Sequence, residues 1–180
     1  MKSFARYALV LTVIATLGLT LAAPAVAGQR ITYRGRTSQD EQVRVEVLKR
    51  DSGRRFLRDA RFFMTLTCDD ASTMDFGIGF GIGRHLGDDG SFGLHDLYTG
   101  MWGLAIDIDG VVRWGSAEGT LEISAAGLTE DGNDATFCTT GPVDWTADRV
   151  SSRPASPLSV PDGVTMVRID RNGELRVIEP

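Results

Sequence analysis

Both histidines of the chain fall in one short stretch, RHLGDDGSFGLHDLYTGMW at residues 84 to 102. His85, Asp88, Asp89, His95 and Asp96 are of the types that hold cations or pass protons near neutral pH. Tyr98 and Trp102 add two rings that can stack on a sugar. These seven are the candidate ligand-binding residues. Their spacing matches no zinc pattern, so neither a metal nor another cofactor is expected.

The rest of the chain offers little further chemistry. It has no GxSxG elbow, no HExxH and no serine–lysine motif of acyl transfer. A glycosidase needs two carboxylates on one strand face or on facing strands. The one same-face pair, Asp107 and Asp109, is expected at a turn. The DIDG and DRNG stretches also lack the further carboxylates and distant glutamate of a calcium loop. No catalytic residue is assigned.

FGIGFGIG, residues 76 to 83, has the look of a phosphate cradle but not its spacing. Counting from Gly77 or Gly79, the third glycine of a dinucleotide fingerprint would fall on Ile82 or Arg84. Alternation instead predicts a strand with Phe76, Ile78, Phe80 and Ile82 on one face. The bare face is expected to be packed by a neighbouring element.

Similar alternation runs through the body of the chain. Val43, Val45 and Val47 share a face in VRVEV; Ala60, Phe62, Met64, Leu66 and Cys68 share one in ARFFMTLTC. Leu121, Ile123 and Ala125 repeat the pattern, which marks half-buried antiparallel strands. Two similar segments, IDIDGVVRW (106 to 114) and IDRNGELRV (169 to 177), are expected to be hairpins. Apolar phasing selects a three-residue turn ending on a left-handed glycine in each. It pairs Ile106 with Val112, Leu104 with Trp114, Ile169 with Leu175 and Val167 with Val177. Trp114 and Trp145 are then core residues, leaving Tyr98 and Trp102 as the open aromatics.

Residues 1 to 27 read as a secretory signal peptide: Lys2 and Arg6, a long apolar run, then Ala25-Val26-Ala27. The whole chain carries a formal charge of −5, so loss of these two cations gives −7 for residues 28 to 180. An acidic exported chain repels phosphate backbones, so nucleic acid is not an expected partner, nor is a membrane after cleavage. Of its basic residues all but Lys2 and Lys49 are arginine, a composition of high-GC bacterial genomes. Cys68 and Cys138, an even pair bound for an oxidising compartment, are expected to form a structural disulfide.

YRGRTSQDEQVRVEV (33 to 47) and DGNDATFCTTGPVDWTADR (131 to 149) resemble the signature ends of a group of small secreted β-rich actinobacterial proteins of unassigned function. The matching residues are Tyr33, Gly35, Thr37, Ser38, Gln39, Cys68, Cys138, Thr140, Gly141, Val143, Trp145, Ala147 and Arg149. The resemblance spans residues 33 to 149 and implies a fold and export, but no activity. The glycine-rich strand and the longer segment after it depart from the group.

The expected architecture is all-β: an antiparallel β-sandwich or jelly roll over residues 28 to 150 with one disulfide. A Pro/Ser-rich linker (151 to 163) and a C-terminal β-hairpin (164 to 180) follow. The expected role is that of a secreted, monomeric, non-catalytic binding module for an extracellular glycan or protein. The alternatives are a secreted hydrolase with an unrecognised carboxylate site and an enzyme inhibitor presenting a rigid 84 to 102 loop.

Overall fold

The computed structural model describes residues 28–81, 83–98, 102–128, 135–150, 160–161, 163–170 and 172–178. Residues 1–27 and most of the Pro/Ser-rich segment lie outside them. The described residues form twelve strands. The first six are β1 (Gly28–Thr37), β2 (Gln42–Arg50), β3 (Arg55–Cys68), β4 (Thr73–Phe80), β5 (Arg84–His85) and β6 (Ser91–Tyr98). Then come β7 (Trp102–Val112), β8 (Ser116–Leu128), β9 (Ala135–Thr139), β10 (Val143–Val150), β11 (Thr165–Ile169) and β12 (Leu175–Ile178). The chain is all-β, as the alternation predicts.

All twelve strands belong to one mixed sheet, ordered β12-β11-β4-β3-β2-β1-β10-β8-β7-β6. The layers that a sandwich would stack are thus joined by hydrogen bonds. Two long strands make this possible. Residues 60 to 62 of β3 pair with β2 on one edge and β4 on the other, while Thr67 pairs with β4 and β9. β2 and β9 therefore follow one another along a single edge of β3. Along β8, β10 and β9 share an edge in the same way, opposite β7. β3 and β8 converge on β9 at one end and diverge at the other to admit β2, β1 and β10.

Such a fork leaves backbone groups between the successive partners, and side chains fill the gap. The Gln39 amide donates to the Thr65 carbonyl (3.0 Å) and accepts from the Thr65 N–H (2.9 Å), in the place a strand residue would take. On β8, the Ile123 N–H donates to Thr140 Oγ1 (3.0 Å), and Thr140 N–H donates to the Ile123 carbonyl. Gly141 then turns the chain with a φ of 59°. Buried polar backbone must be paired, and these residues pair it. Cys68 and Cys138 face one another across β3 and β9, with Cα atoms 3.9 Å apart, and form the disulfide. Closing a loop of 70 residues stabilises the fold by about 4 kcal/mol in chain-entropy terms.

One face of the sheet lines the core. Val43, Phe62, Ile78 and Val167 stand abreast across β2, β3, β4 and β11, and Val45, Ala60, Phe80 and Ile169 form the next row; all are buried. FGIGFGIG is the strand expected, with Phe76, Ile78 and Phe80 inside; Ile82 lies outside the described residues. Its bare face is packed at Gly77 and Gly79. A Cβ at Gly77 would lie 3.0 Å from the Phe63 ring, and one at Gly79 would lie 3.1 Å from Met166.

Met166 comes from the C-terminal hairpin, which docks by pairing β11 parallel to β4. Ile169 faces Leu175, Val167 faces Val177 and Gly173 has a φ of 79°, as the phasing required.

The other expected hairpin does not form. Residues 102 to 112 are one strand, Ile106 faces Ile123, and the turn lies at 113–116 with Val112 opposite Ala117. Gly110 is not in the left-handed region. It stands in a row with Trp145, Gly119 and Phe92, where a Cβ would lie 2.5 Å from Phe92 and 2.7 Å from Trp145. Glycine is there for room, and the IDID alternation continues through it. Trp114 consequently sits at the turn, 69% exposed under the Arg149 guanidinium, and is not core. Trp145 is core, packed edge-on against Phe62.

Candidate functional site

The expected loop after β4 is largely strand, and it scatters the candidate residues. His85 lies in β5 against β3, its ring 4.8 Å from Phe56 and its Nδ1 2.8 Å from the Leu86 carbonyl. Asp88 and Asp89 belong to the turn before β6, where Asp89 accepts from the Ser91 N–H (2.9 Å). The Ser91 contacts hold the Asp89 carboxyl below the usual carboxylate value. Asp96 lies 3.4 Å from the Tyr98 hydroxyl and 4.0 Å from Arg84. Burial, helped by the Asp96 charge, raises the Tyr98 phenol. The Trp102 side chain lies outside the described residues. The six whose side chains are described do not converge.

His95 instead joins the two carboxylates assigned to the missing hairpin. It faces Asp107 across β6 and β7, with Nδ1 2.8 Å from Asp107 and Nε2 3.4 Å from Asp109. Glu122 stands beside Asp107 on β8. The two carboxylates flank opposite nitrogens of the ring. The ring's second nitrogen thus meets an acid, not a hydroxyl or thiol, so this is not a nucleophile–base–orienter set. All three groups are exposed.

His95, Asp107 and Glu122 line a concavity of about 360 Å³; a larger one lies on other strands, on the outer face of β1 to β4 and β11. Cross-strand register sets Arg34, Arg44 and Arg61 side by side, continuing through Gly79 to Arg168. Like charges directly opposite destabilise a sheet unless they are neutralised. The adjacent row supplies acids, with Glu46 facing Asp59. A β-bulge sits here: Glu46 pairs with Asp59 but Val47 pairs with Leu57, leaving Arg58 as the extra residue. The bulge keeps Leu57 in the core while Arg58 and Asp59 both line the outer groove.

Ion pairs knit the floor. Arg44 bonds Glu46, both buried, and Arg61 Nε donates to Asp59 at 3.0 Å. Arg58 reaches to 3.9 Å from Glu46 and Arg168 to 3.7 Å from Asp59, with their side chains 47% and 45% exposed. Burial raises the Asp59 carboxyl above its usual value, against the pull of Arg61 and Arg168.

The groove encloses about 580 Å³. Five arginines (30, 44, 58, 61 and 168) and three acids (Glu46, Asp59 and Asp170) line it, five minus three leaving a local charge of +2. Gly81 and Gly83 leave its wall low; a Cβ at Gly81 would come within 3.3 Å of both Asp59 and Arg168.

None of the charged groove residues was a site candidate from the sequence, although Gly81 and Gly83 belong to the glycine face that FGIGFGIG shows. In VRVEV, Arg44 and Glu46 look like the solvated side of a half-buried strand, whereas both are buried. The available signal was arginine at outward positions of successive strands, and it becomes a row only once register is known.

The residues behind the resemblance have structural roles. Tyr33 is buried and donates to the Arg113 carbonyl at 2.9 Å, its phenol raised by burial. A Cβ on Gly35 would collide with the Thr146 carbonyl of β10. Thr37 Oγ1 accepts from the N–H groups of Gln39 and Glu41, both at 3.2 Å. Val143, Trp145 and Ala147 are core. Comparison with known proteins finds no matching family model, curated protein or solved structure.

Proposed function

We propose that the protein is exported and acts outside the cell, as a single copy, as a non-catalytic module that binds a glycan or protein ligand. The observation that carries this reading is the groove: a concave site with exposed guanidinium heads over a fixed, ion-paired floor. An ion-paired floor suits recognition, because that part of the site needs little ordering on binding.

Support for export comes from the leader composition, the disulfide and the actinobacterial resemblance. Among the described residues no helix is long and apolar enough to cross a membrane.

The test is a pull-down of extracellular polymers and secreted proteins with residues 28 to 180 as bait. The expected result is retention of one class, lost in an Arg58→Ala/Arg168→Ala variant. New reducing ends or other product in the captured polymer would mean catalysis and contradict the reading.

A further inference from the structure

We infer that the groove takes an anionic glycan, a saccharide polymer whose carboxylate or phosphate groups recur beside free hydroxyls. This rests on the binding reading above and names its ligand class. Arg58 and Arg168 project from different strands with nearly half of each side chain exposed. Their acid neighbours stand at 3.9 and 3.7 Å, beyond hydrogen-bond range, so donor N–H groups remain for a ligand. Guanidinium forks match the planar oxygens of carboxylates and the oxygens of phosphates.

The second observation points to the sugar. Asp59 is buried, with 12% of its side chain exposed, and its Oδ1 has no hydrogen-bond donor. An unmatched buried acceptor is costly, and a hydroxyl donor would satisfy it. Arg168 Nη2 stands 3.7 Å from Oδ1, which is closed to solvent, so this half-exposed side chain must turn onto the ligand's acid group to admit the hydroxyl. Gly81 keeps the approach open, since any side chain there would crowd Asp59 and Arg168. Acid groups for the arginines and a hydroxyl for the aspartate describe an acidic sugar. A chain of net negative charge gathers such a polymer only where arginines outnumber acids, as they do here.

Affinity electrophoresis of residues 28 to 180 tests this in gels containing polygalacturonate, polyglycerol phosphate, polyacrylate or dextran. Retardation is expected in polygalacturonate or polyglycerol phosphate, and which of them retards tells carboxylate from phosphate. Retardation is expected to weaken with salt and to be about tenfold weaker for each of Arg58→Ala and Arg168→Ala. Arg36→Ala and Arg113→Ala remove the same charge outside the groove and are expected to change little. Polyacrylate, which has charge without hydroxyls, is expected to bind at least about tenfold more weakly than the glycan. Equal binding of polyacrylate, or equal losses in the Arg36 and Arg113 variants, would overturn the proposal in favour of bulk charge. Retention by dextran alone would overturn the anionic class and leave the binding reading standing. No retention by any polymer overturns the proposal, while protein capture in the pull-down would still support the broader reading.

Discussion

At the scale of single residues, the most informative positions are those where a side chain is missing or a charge is enclosed. Gly110 sits between Phe92 and Trp145, and Gly119 beside it approaches the Asp109 carbonyl too closely for any Cβ. Gly110→Val should destabilise the protein by roughly 1–3 kcal/mol through overpacking, measured by denaturant unfolding. An unchanged midpoint would mean that the two rings do not meet over this glycine. The sequence showed a DG pair and offered a turn. What decided otherwise was Trp145, thirty-five positions away, whose position over Gly110 depends on strand order. Asp59 gives a pH test. Its carboxyl is raised, so the folded protein holds the proton more tightly than the unfolded chain does. Its contribution to stability is therefore full below the ordinary carboxylate range and is lost as pH rises through the folded value. Asp70 and Asp89 are lowered and slope the other way, so the comparison needs a variant. The melting temperature of the parent should fall relative to Asp59→Asn as pH rises from about 4 to 7. Parallel profiles would show that Asp59 is not enclosed.

At the scale of elements, the strands themselves were legible. Period-two alternation located Val43, Val45 and Val47, the Ala60 to Cys68 face and the Phe76 to Phe80 face, because each buries one side against a core. The Asn172-Gly173 turn was legible for the same reason: only one phasing pairs Ile169 with Leu175. The segment after β4 was not, since β5 and β6 are held by partners distant in sequence and their glycines and aspartates imitate a loop. Neither was the docking of the C-terminal hairpin, because a glycine face gives no pattern that names its cover. Val164, Met166, Val167 and Ile169 are buried by that docking. A chain ending at residue 150 should lose on the order of 5 kcal/mol, from four apolar side chains at about 1.5–3 kcal/mol each less the entropy of ordering them. Equal melting temperatures for residues 28 to 150 and 28 to 180 would show that β11 adds nothing to β4.

At the scale of the molecule, one sheet carries two unlike outer surfaces. β6 to β8 present His95 with Asp107, Asp109 and Glu122, while β1 to β4 and β11 present the arginine groove. Of the sequence candidates, His95 and Asp96 line a smaller concavity of about 360 Å³ on the first surface, and none of those described lines the second; the larger of these two concavities and the buried, unmatched carboxylate belong to the second. Register brings arginines from strands far apart in the chain into one row, and so it hid the groove from any reading of local pattern. The central claim is that this groove is the binding site. The most direct measurement is an amide chemical-shift map of 15N-labelled residues 28 to 180 titrated with trigalacturonate and with a glycerol-phosphate oligomer. The account predicts that at least one of them moves the amides of Arg58, Asp59, Gly81 and Arg168 and leaves β6 to β8 in place. Shifts centred on His95, Asp107 and Glu122, or none with either ligand, would contradict it.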